Sequence, residues 1–406
     1  MQYQNAPLHN AIRQSHTPIQ AQPQPMISRT PPVPIEQTLP QAINYGADYS
    51  GCGIWRMVWP QYILNATQSA VVHNATTMIL DPRFYQTVKC VRIQRQATPN
   101  QKKFVEFLKG VSKDNGMRVI YEVDDIIFRE DIPDYNNFKE AFEPDEIRKA
   151  SEEIMMLCDE ITVTCPFMKD YYHKKTGHPK ITVIPNMPPR FWLGHEYNEY
   201  KISKNYKKHC RGRRAKPRIL YAGSGAHFDV GNKNNQQDDF THVNKVITKT
   251  IDKYQWVFVA GVPPVLQPLV KSGKIEMHPW QSILNLPNFI SQLEINCIIA
   301  PLQDNTFNRG KSDIKFIEAS AHGIPIVCQD IVTYKDAHIK FTTGEELIAK
   351  IDSILESQSK YLQISRRANK SIQGRWLEDN IGIYKELYSL PYGHKDRINL
   401  NKLNYL

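Results

Sequence analysis

Three charged residues late in the chain have the spacing of a single helix face. Lys311, Lys315 and Glu318 lie at positions i, i+4 and i+7 after a polar loop. The helix is expected to begin near Ser312, whose hydroxyl suits a first helical turn. The free amides of such a turn, together with Lys311 and the preceding Arg309, would bind a diphosphate well. The alternative interpretation is a solvated helix that carries surface ion pairs.

A glycine-containing loop earlier in the chain could contact the same kind of ligand. Residues 221–229 read Tyr-Ala-Gly-Ser-Gly-Ala-His-Phe-Asp and follow a predicted strand. Gly223 permits close approach of the backbone to a ligand, and Ser224 and His227 could donate hydrogen bonds to phosphate. Two glycines are a weak signal by themselves, so the loop supports the phosphate hypothesis without establishing it.

An acidic pair follows one of the predicted strands. Asp124 and Asp125 come directly after the apolar run 118–123. Carboxylates at the C-terminal end of a parallel strand point into the ligand cleft more often than they serve the structure. The pair is therefore a candidate for a catalytic role.

Both halves of the chain alternate short apolar runs with helix-length polar stretches. The predicted strands are 76–80, 88–93, 118–123, 160–164 and 181–184 in the first half, and 218–222, 256–260, 274–277, 295–301 and 324–328 in the second. This alternation is typical of parallel sheets with crossover helices. It predicts two Rossmann-like α/β domains, 45–195 and 217–371, which face a central cleft.

Two segments outside these domains have an unusual composition. Residues 1–44 contain eight prolines and eight glutamines but no glycine, and they show no apolar period. Such a segment is expected to form a disordered arm. Residues 196–216 are basic and poorly patterned, which predicts a linker between the domains.

The 406-residue chain has a formal net charge of +10, which suggests an anionic partner. Nine basic residues and no acidic ones lie between Lys201 and Arg218. Nucleic acid, a nucleotide and an acidic membrane surface all fit this charge, and a solvated linker is the plainer interpretation. The candidate nucleic-acid contacts are Lys207, Lys208, Arg211, Arg213 and Arg214.

The remaining composition excludes several classes of protein. With 41% hydrophobic and 23% charged residues, most of the chain should fold. The seven cysteines form no CxxC pair and lie near no histidines at zinc spacing, so we expect reduced thiols and no metal site. No apolar run approaches the roughly 18 residues that span a bilayer, which predicts no transmembrane segment and a cytoplasmic protein.

The segment from Arg309 onward resembles a known donor site. It reads Arg-Gly-Lys-Ser-Asp-Ile-Lys-Phe-Ile-Glu and continues to a Gly-Ile-Pro-Ile-Val strand. This pattern resembles the family-four retaining glycosyltransferases of GT-B fold, especially their short phage and bacterial members, and the resemblance covers most of 45–390. It implies that Glu318 binds the ribose hydroxyls, and that Lys315 and the amides after Gly310 lie at the diphosphate.

The resemblance also has a departure at the donor site. The family's partner glutamate, eight residues before Glu318, is Gly310 in this chain. Contact to the transferred sugar would then come from another residue. Asp304, Asn305 and Asn308 are the candidates, and the sequence leaves the choice among them open.

Further segments resemble parts of the same family. Residues 51–56 resemble the glycine-rich loop of its N-terminal domain, which implies that Gly51 and Gly53 lie near the donor and that Arg56 reaches the donor phosphates. The strand that ends in the acidic pair is similar as well. Residues 372–406 resemble the final helix, which crosses back to the N-terminal domain.

The resemblance implies retaining, metal-independent transfer of a hexose or pentose from a nucleotide sugar, such as a UDP-sugar, with no further cofactor. Arg56, Arg309, Lys311 and Lys315 would stabilise the negative charge that develops on the leaving diphosphate. Asp125, or Asp124, would orient or deprotonate the acceptor.

Three hypotheses about the function follow, and the first two differ in the acceptor. One is a 5-hydroxymethylated pyrimidine, such as 5-hydroxymethylcytosine, in double-stranded phage DNA in the host cytoplasm, because a hydroxymethyl group offers a primary alcohol once the base is flipped from the stack. The second is a surface polysaccharide or a lipid-linked acceptor. The third is a non-catalytic protein that only binds a nucleotide.

Overall fold

The computed structural model describes residues 40–142, 144–194, 196–212, 215–229 and 237–389. The arm that we expect over residues 1–44 therefore lies outside the described residues, except for its last five positions.

Six parallel strands form a sheet in the first half of the chain. They are β1 (Ala42–Tyr45), β2 (Val72–Ala75), β3 (Cys90–Gln94), β4 (Arg118–Glu122), β5 (Glu160–Val163) and β6 (Ile181–Val183). Their order across the sheet is β2-β1-β3-β4-β5-β6. Successive strands thus run outward in opposite directions from the β1–β3 pair, which is the switch point of this sheet.

A second sheet of six parallel strands follows. Its strands are β7 (Arg218–Gly223), β8 (Gln255–Ala260), β9 (Glu276–His278), β10 (Cys297–Ala300), β11 (Ile326–Gln329) and β12 (Lys340–Phe341). Their order is β12-β11-β10-β7-β8-β9, so the switch point lies between β7 and β10. The two sheets agree with the two Rossmann-like α/β domains that the alternating pattern predicts.

Helices connect and cover the strands. They are α1 (Gly51–Gly53), a π-helical segment (Ile54–Val58), α2 (Trp59–Ala66), α3 (Pro99–Asn115), α4 (Asp145–Leu157), α5 (Pro166–Thr176), α6 (Arg190–Leu193), α7 (Glu199–Cys210), α8 (Asn244–Lys249), α9 (Gln267–Lys271), α10 (Leu286–Gln292), α11 (Thr306–Arg309), α12 (Ile314–His322), α13 (Gly344–Leu355), α14 (Gln358–Ile372) and α15 (Ile381–Leu387). Short 3-10 turns occupy 82–85, 129–131, 139–142, 225–227, 264–266, 332–334 and 378–380. Among the described residues, no helix is both long and apolar enough to span a membrane.

Helix α12 is anchored by its apolar residues. Ile317 and Ala321 are fully buried and pack in one cluster with Trp192 and Ile372. The helix ends at Gly323, whose φ of 66° is a left-handed conformation that favours glycine. The helical spacing therefore gives α12 one buried side and leaves its charged side free for other contacts.

The sequence prediction misplaces the first strands. The run 76–80 is not a strand, because its apolar side chains Met78 and Leu80 are exposed at 46% and 64% and pair with nothing in the sheet. The sheet begins instead at Ala42, inside the segment assigned to the arm. Strand β1 is short and follows a proline-rich stretch, so it carries no visible alternation, yet it lies between β2 and β3.

The segment assigned to a linker, 196–216, contains a regular helix. Helix α7 is amphipathic, and its Tyr206 is 1% exposed in the core that surrounds the second sheet. The Tyr206 hydroxyl donates to the carbonyl of Leu355 at 2.8 Å. Most of the basic segment is therefore part of the second domain. The sequence suggests a linker instead because the many lysines of the segment obscure the apolar stripe of the helix.

The C-terminal segment returns to the first sheet. Helix α15 contributes Ile381 and Tyr384 to the same apolar cluster as Ala42 of β1. The Tyr388 hydroxyl donates to Oδ1 of buried Asn44 at 2.8 Å. The side-chain amide of Asn44 in turn donates to Asn74 of the edge strand β2 at 3.0 Å. Tyr388 is thereby connected to the edge of the first sheet.

Two N-terminal deletions test the position of β1. A variant that lacks residues 1–44 should melt at a markedly lower temperature than one that lacks residues 1–39, because it loses fully buried Ala42, Ile43 and Asn44. Loss of the buried Ile43 side chain alone should lower the free energy of unfolding by about 2–5 kcal/mol. The measurement is thermal unfolding of the two variants side by side, and equal melting temperatures would show that residues 42–44 do not belong to the sheet.

Candidate active site

A cavity of about 280 Å³ lies where the carboxyl ends of both sheets meet. From the second sheet it is bounded by residues at the ends of β7 and β8, and from the first by residues that follow β1, β4 and β6. Ten residues that the sequence analysis selects line it: Arg56, Asp124, Asp125, Gly223, Ser224, His227, Lys311, Ser312, Lys315 and Glu318. The cavity thus lies at the position where open α/β sheets bind ligands.

The charged side of α12 faces this cavity. The Lys315 ammonium lies 5.3 Å from the centre of the Tyr221 ring. Throughout the part of the chain that the structure describes, neither Lys315 nor Glu318 forms a side-chain hydrogen bond or ion pair. Burial lowers the pKa of Lys315 and raises the pKa of Glu318 to about 7, although the nearby Lys315 charge opposes the rise. Charged groups left unpaired in a cavity wall are typical of a ligand site.

The start of α12 also lies at the cavity. The helix begins at Ile314, two residues later than expected, and neither Ser312 nor Asp313 caps it through a side chain. Asp313 instead accepts hydrogen bonds from Arg375 at 2.5 and 2.9 Å. The first amides of a helix lack acceptors one turn earlier, and they favour an anion. Because Arg375 balances the charge of Asp313, this carboxylate repels such an anion only weakly.

Strand β7 brings the glycine-containing loop to the opposite wall. Ser224 Oγ accepts a hydrogen bond from the Ala226 amide at 3.4 Å and shapes the turn that carries His227. The imidazole Nδ1 of His227 lies 2.6 Å from Oδ2 of Asp239. Burial lowers the pKa of His227 to about 4. The ring is therefore neutral near pH 7 and carries a single N–H, so only one of its two nitrogens can act as the expected donor.

Arg56 lies in the cavity wall but is largely held by the first domain. Its Nε donates to Glu122 at 2.5 Å, and its Nη1 donates to the Ile184 carbonyl at 2.6 Å and to Asn186 at 3.0 Å. Nη2 is buried and has no partner among the described residues. The Nη2 amino group is thus the part of Arg56 that the described residues leave unpaired, and the side chain does not reach freely into the cavity.

The glycines of the segment 51–56 do not line the cavity. A Cβ on Gly53 would lie 1.7 Å from the Asp48 carbonyl oxygen, and the Gly53 amide donates to the Asp48 carboxylate at 3.0 Å. A Cβ on Gly51 would meet nothing within 4 Å. Gly53 therefore allows a tight turn after β1, and the predicted contact of both glycines with the donor is not visible in the geometry.

The acidic pair lies across the cavity from α12. Asp125 Oδ1 is 3.8 Å from Lys311 Nζ, and this contact joins the two domains. Burial raises the pKa of Asp125, whereas the Lys311 charge lowers it. Asp124 lies 3.3 Å from the guanidinium of Arg95, whose φ of 46° is rare for a residue other than glycine.

The residues before Lys311 point away from the cavity. Arg309, a predicted catalytic residue, forms a half-exposed ion pair with Asp304 at 2.7 Å. Asn305 caps α11, and Asn308 is fully buried. A Cβ on Gly310 would lie 2.9 Å from Cδ1 of Ile126, so the first domain fills the space that a side chain would need. None of these five residues lines the cavity.

The basic segment lies at the amino ends of the strands of the second sheet, on the side opposite to the cavity. Lys208 forms an ion pair with Glu294, which precedes the start of β10. Asn205, also on α7, donates to the Ile295 carbonyl at 3.2 Å. Lys207, Lys208 and Arg211 are therefore near the amino ends of the strands, whereas the cavity is at the carboxyl ends. Arg213 and Arg214 lie outside the described residues.

Some residues of the site carry no signal in the sequence. Trp280 and Gln281 line the cavity from the loop after β9, and Trp280 is 58% exposed. Asp239 touches His227 although twelve residues separate them. An aspartate beside another aspartate in a polar stretch gives no pattern, and only the fold brings it to the histidine.

No protein-family model matches the sequence, and no curated protein matches it significantly. Solved structures do match in fold. Anabaena HepE, solved in complex with UDP, has a TM-score of 0.58 at 11% identity and covers 86% of this chain and 100% of HepE. A glycosyltransferase from Rickettsia africae ESF-5 has a TM-score of 0.54 at 16% identity, over 86% of this chain and 98% of that one. Sucrose-phosphate synthase from Thermosynechococcus elongatus has a TM-score of 0.53 at 13% identity, over 86% and 99%.

These solved structures are GT-B glycosyltransferases, and the chain has the GT-B fold. Its two parallel sheets with facing carboxyl edges are the two Rossmann-like domains of that fold. The fold class expected from the sequence is therefore confirmed.

The unpaired carboxyl of Glu318 gives a testable dependence of stability on pH. Its pKa is raised from 4.5 to about 7 in the fold, so the stability that its protonated form contributes is complete near pH 4 and is lost as the pH rises through 7. Ligand-free Glu318→Gln should therefore melt at a higher temperature than the natural protein at pH 8 and at a similar temperature near pH 4.

The control for this measurement is Glu106→Gln. Glu106 is exposed on α3 and forms only a 3.6 Å surface ion pair with Lys102, so its substitution should change melting little at either pH. If the difference between Glu318→Gln and the natural protein were the same at both pH values, the carboxyl would not be desolvated as described.

Proposed function

We propose that this chain is a glycosyltransferase that transfers a sugar from a UDP-sugar to an acceptor held between its two domains. The observation that carries the proposal is the unpaired Lys315 and Glu318 beside a helix start, at the switch point of the second sheet. The fold likeness to HepE, which was solved in complex with UDP and with UDP-glucose, supports the choice of nucleotide.

The diphosphate of the donor fits the start of α12. Its negative charge would be met by the free amides of the first turn and by the ammonium groups of Lys311 and Lys315. When the bond to the sugar breaks, negative charge grows on this diphosphate. Fixed positive groups that need no reorganisation would stabilise that charge, together with the unpaired Nη2 amino group of Arg56 in the cavity wall.

The nucleoside fits the remaining wall of the cavity. Glu318 lies one turn further along α12 than Lys315, so its carboxylate could accept hydrogen bonds from the two ribose hydroxyls. Such bonds would favour the ionised form, which burial disfavours in the free protein. The exposed ring of Trp280 at the rim offers a face on which a base could stack.

The acidic pair would serve the acceptor. Asp125 lies across the cavity from the proposed diphosphate seat, and burial raises its pKa, which makes its carboxylate a better base. It could orient or deprotonate an acceptor hydroxyl near the sugar. Retention of configuration, and independence from metal, follow from the family resemblance and are part of the proposal.

For the acceptor, we propose 5-hydroxymethylcytosine in phage DNA, with a polysaccharide or lipid-linked acceptor as the alternative. The net charge of +10 favours an anionic acceptor. The basic segment around Lys208 lies at the amino ends of the strands, so DNA bound there could not place a base in the cavity at the carboxyl ends. A groove at the carboxyl ends of β1, β2 and β3 offers the exposed ammonium of Lys103, whereas Arg95 in the same groove is paired with Asp48 and Asp124. Because this groove lies at the same ends of the strands as the cavity, Lys103 is better placed to contact an anionic acceptor.

Binding of UDP tests the donor site. Lys315→Ala and Glu318→Ala should each weaken UDP affinity by roughly 30- to 1,000-fold in calorimetric titrations, because each removes a desolvated charged contact. The matched controls are Lys350→Ala and Glu106→Ala, which remove exposed charges outside the cavity and should bind as the natural protein does.

Unchanged UDP affinity in a folded Glu318→Ala variant would overturn the donor-site assignment. Tight binding of UDP without transfer or hydrolysis of any UDP-sugar would instead favour the non-catalytic alternative. That alternative keeps some support from Gly310, which stands where the family has a glutamate.

A transfer assay tests the acceptor. Mass spectrometry should detect a sugar on hydroxymethylated duplex DNA but not on plain duplex, and transfer should fall as salt rises. Lys103→Ala should weaken the transfer to DNA. Lys207→Ala removes an equal charge at the amino ends of the second sheet, away from the cavity, and should leave the transfer unchanged. Transfer to an oligosaccharide or lipid acceptor alone would contradict the DNA proposal and favour its alternative.

A further inference from the structure

Among the described residues, His227 uses only one of its ring nitrogens, Nδ1, for a hydrogen bond. Nδ1 lies 2.6 Å from Oδ2 of Asp239, and the ring forms part of the cavity wall. No hydrogen bond to Nε2 occurs among the residues that the structure describes. The state of Nε2 therefore decides what this histidine can offer to a ligand.

Asp239 is saturated with hydrogen-bond donors. Its Oδ1 accepts from the Tyr135 hydroxyl at 2.9 Å, the Gln303 amide at 2.8 Å and Asn308 Nδ2 at 2.7 Å. Burial opposes ionisation, but the hydrogen bond from His227 and these further donors lower the pKa of Asp239. An ionised carboxylate can only accept, so the proton between the two side chains belongs to Nδ1 of His227.

A second proton on His227 is disfavoured. The ring is buried, and the ammonium groups of Lys315 and Lys311 stand in the same cavity, while Asp239 is the only carboxylate in contact with the ring among the described residues. In the neutral ring, Nε2 carries a lone pair and no hydrogen. It can accept a hydrogen bond from a hydroxyl but cannot donate one to a phosphate oxygen.

The residues that the family resemblance suggests for contact with the sugar do not line the cavity. Gly310 offers no side chain there, and Ile126 packs against it. Asp304, Asn305 and Asn308 are engaged elsewhere and do not line the cavity. In the wall formed by the second domain, Ser224, Gln281 and Ser312 already accept hydrogen bonds from other residues. Nε2 of His227 accepts none from the described residues, so it is free to meet a hydroxyl of the sugar.

We propose that Asp239 is a positioning residue that holds His227 as the Nδ1–H tautomer, so that Nε2 accepts a hydrogen bond from a hydroxyl of the transferred sugar. The proposal rests on the glycosyltransferase function, since it assigns a contact to the sugar of that donor. It makes His227 a residue that distinguishes the sugar nucleotide from the free nucleotide.

Asp239→Asn tests this assignment with little change in shape. The amide oxygen of the new side chain would remain with the three donors on the Oδ1 side, which places its NH2 group against Nδ1 of His227. The ring proton should then move to Nε2, and nitrogen-detected NMR of labelled histidine should show the change of tautomer. Affinity for UDP-glucose should fall by roughly 10- to 100-fold, with UDP affinity changed less than about threefold.

Tyr135→Phe is the matched control. It removes one donor from the same carboxylate, and Tyr135 does not line the cavity. The His227 tautomer and the preference for UDP-glucose over UDP should both be retained. Equal losses in Tyr135→Phe and Asp239→Asn would show that the network is merely structural, and would overturn the proposal.

Two further measurements keep the test decisive. If Asp239→Asn does not fold, His227→Ala should lose affinity for UDP-glucose selectively, and equal losses for UDP and UDP-glucose would overturn the proposal. If another UDP-sugar binds the natural protein more tightly than UDP-glucose, it replaces UDP-glucose as the probe. If the natural protein binds neither UDP nor a UDP-sugar, the proposed function itself fails, whereas normal UDP binding with no selective loss contradicts only the role of His227.

Discussion

The main constraint on the cavity is that Lys315 and Glu318 are desolvated without an ion pair or side-chain hydrogen bond among the described residues. Burial shifts the pKa of each group toward its neutral form, so both cost stability in the free protein. The opposite side of the same helix offsets part of this cost through the fully buried Ile317 and Ala321. A ligand with negative charge beside hydroxyl groups would relieve both side chains at once, which is why the cavity suits a sugar nucleotide.

Contacts between the two domains shape the rest of the cavity. Ile126 of the first domain packs on Gly310, and the apolar cluster there includes Phe307. Tyr135 reaches across to Asp239, and through it to the ring of His227. The position of His227 therefore depends on residues from both domains. A change in the separation of the domains would move Tyr135 relative to Asp239 and so alter the hydrogen bonds that hold His227.

Sequence reasoning located the charged side of α12, Ser224 and the acidic pair, because each has a local signal in helical spacing, a loop after a strand or a strand end. It failed where the role depends on a distant partner. Arg56 has the expected position at the cavity, but Glu122 and the Ile184 carbonyl, far along the chain, hold most of its guanidinium. Strand β1 was missed because its position between two other strands, rather than any alternation of its own, makes it a strand.

The sequence by itself determined the alternation of strands and helices, and with it two Rossmann-like domains and the placement of Lys315 and Glu318 on one helix face, shortly after Lys311. These features depend on residues that are near each other along the chain. Only the tertiary structure decided that Asp239 meets His227, that Arg56 is bound to Glu122, and that α7 lies away from the cavity. Such contacts join residues far apart in the chain, and their geometry follows from how the two sheets and their helices pack.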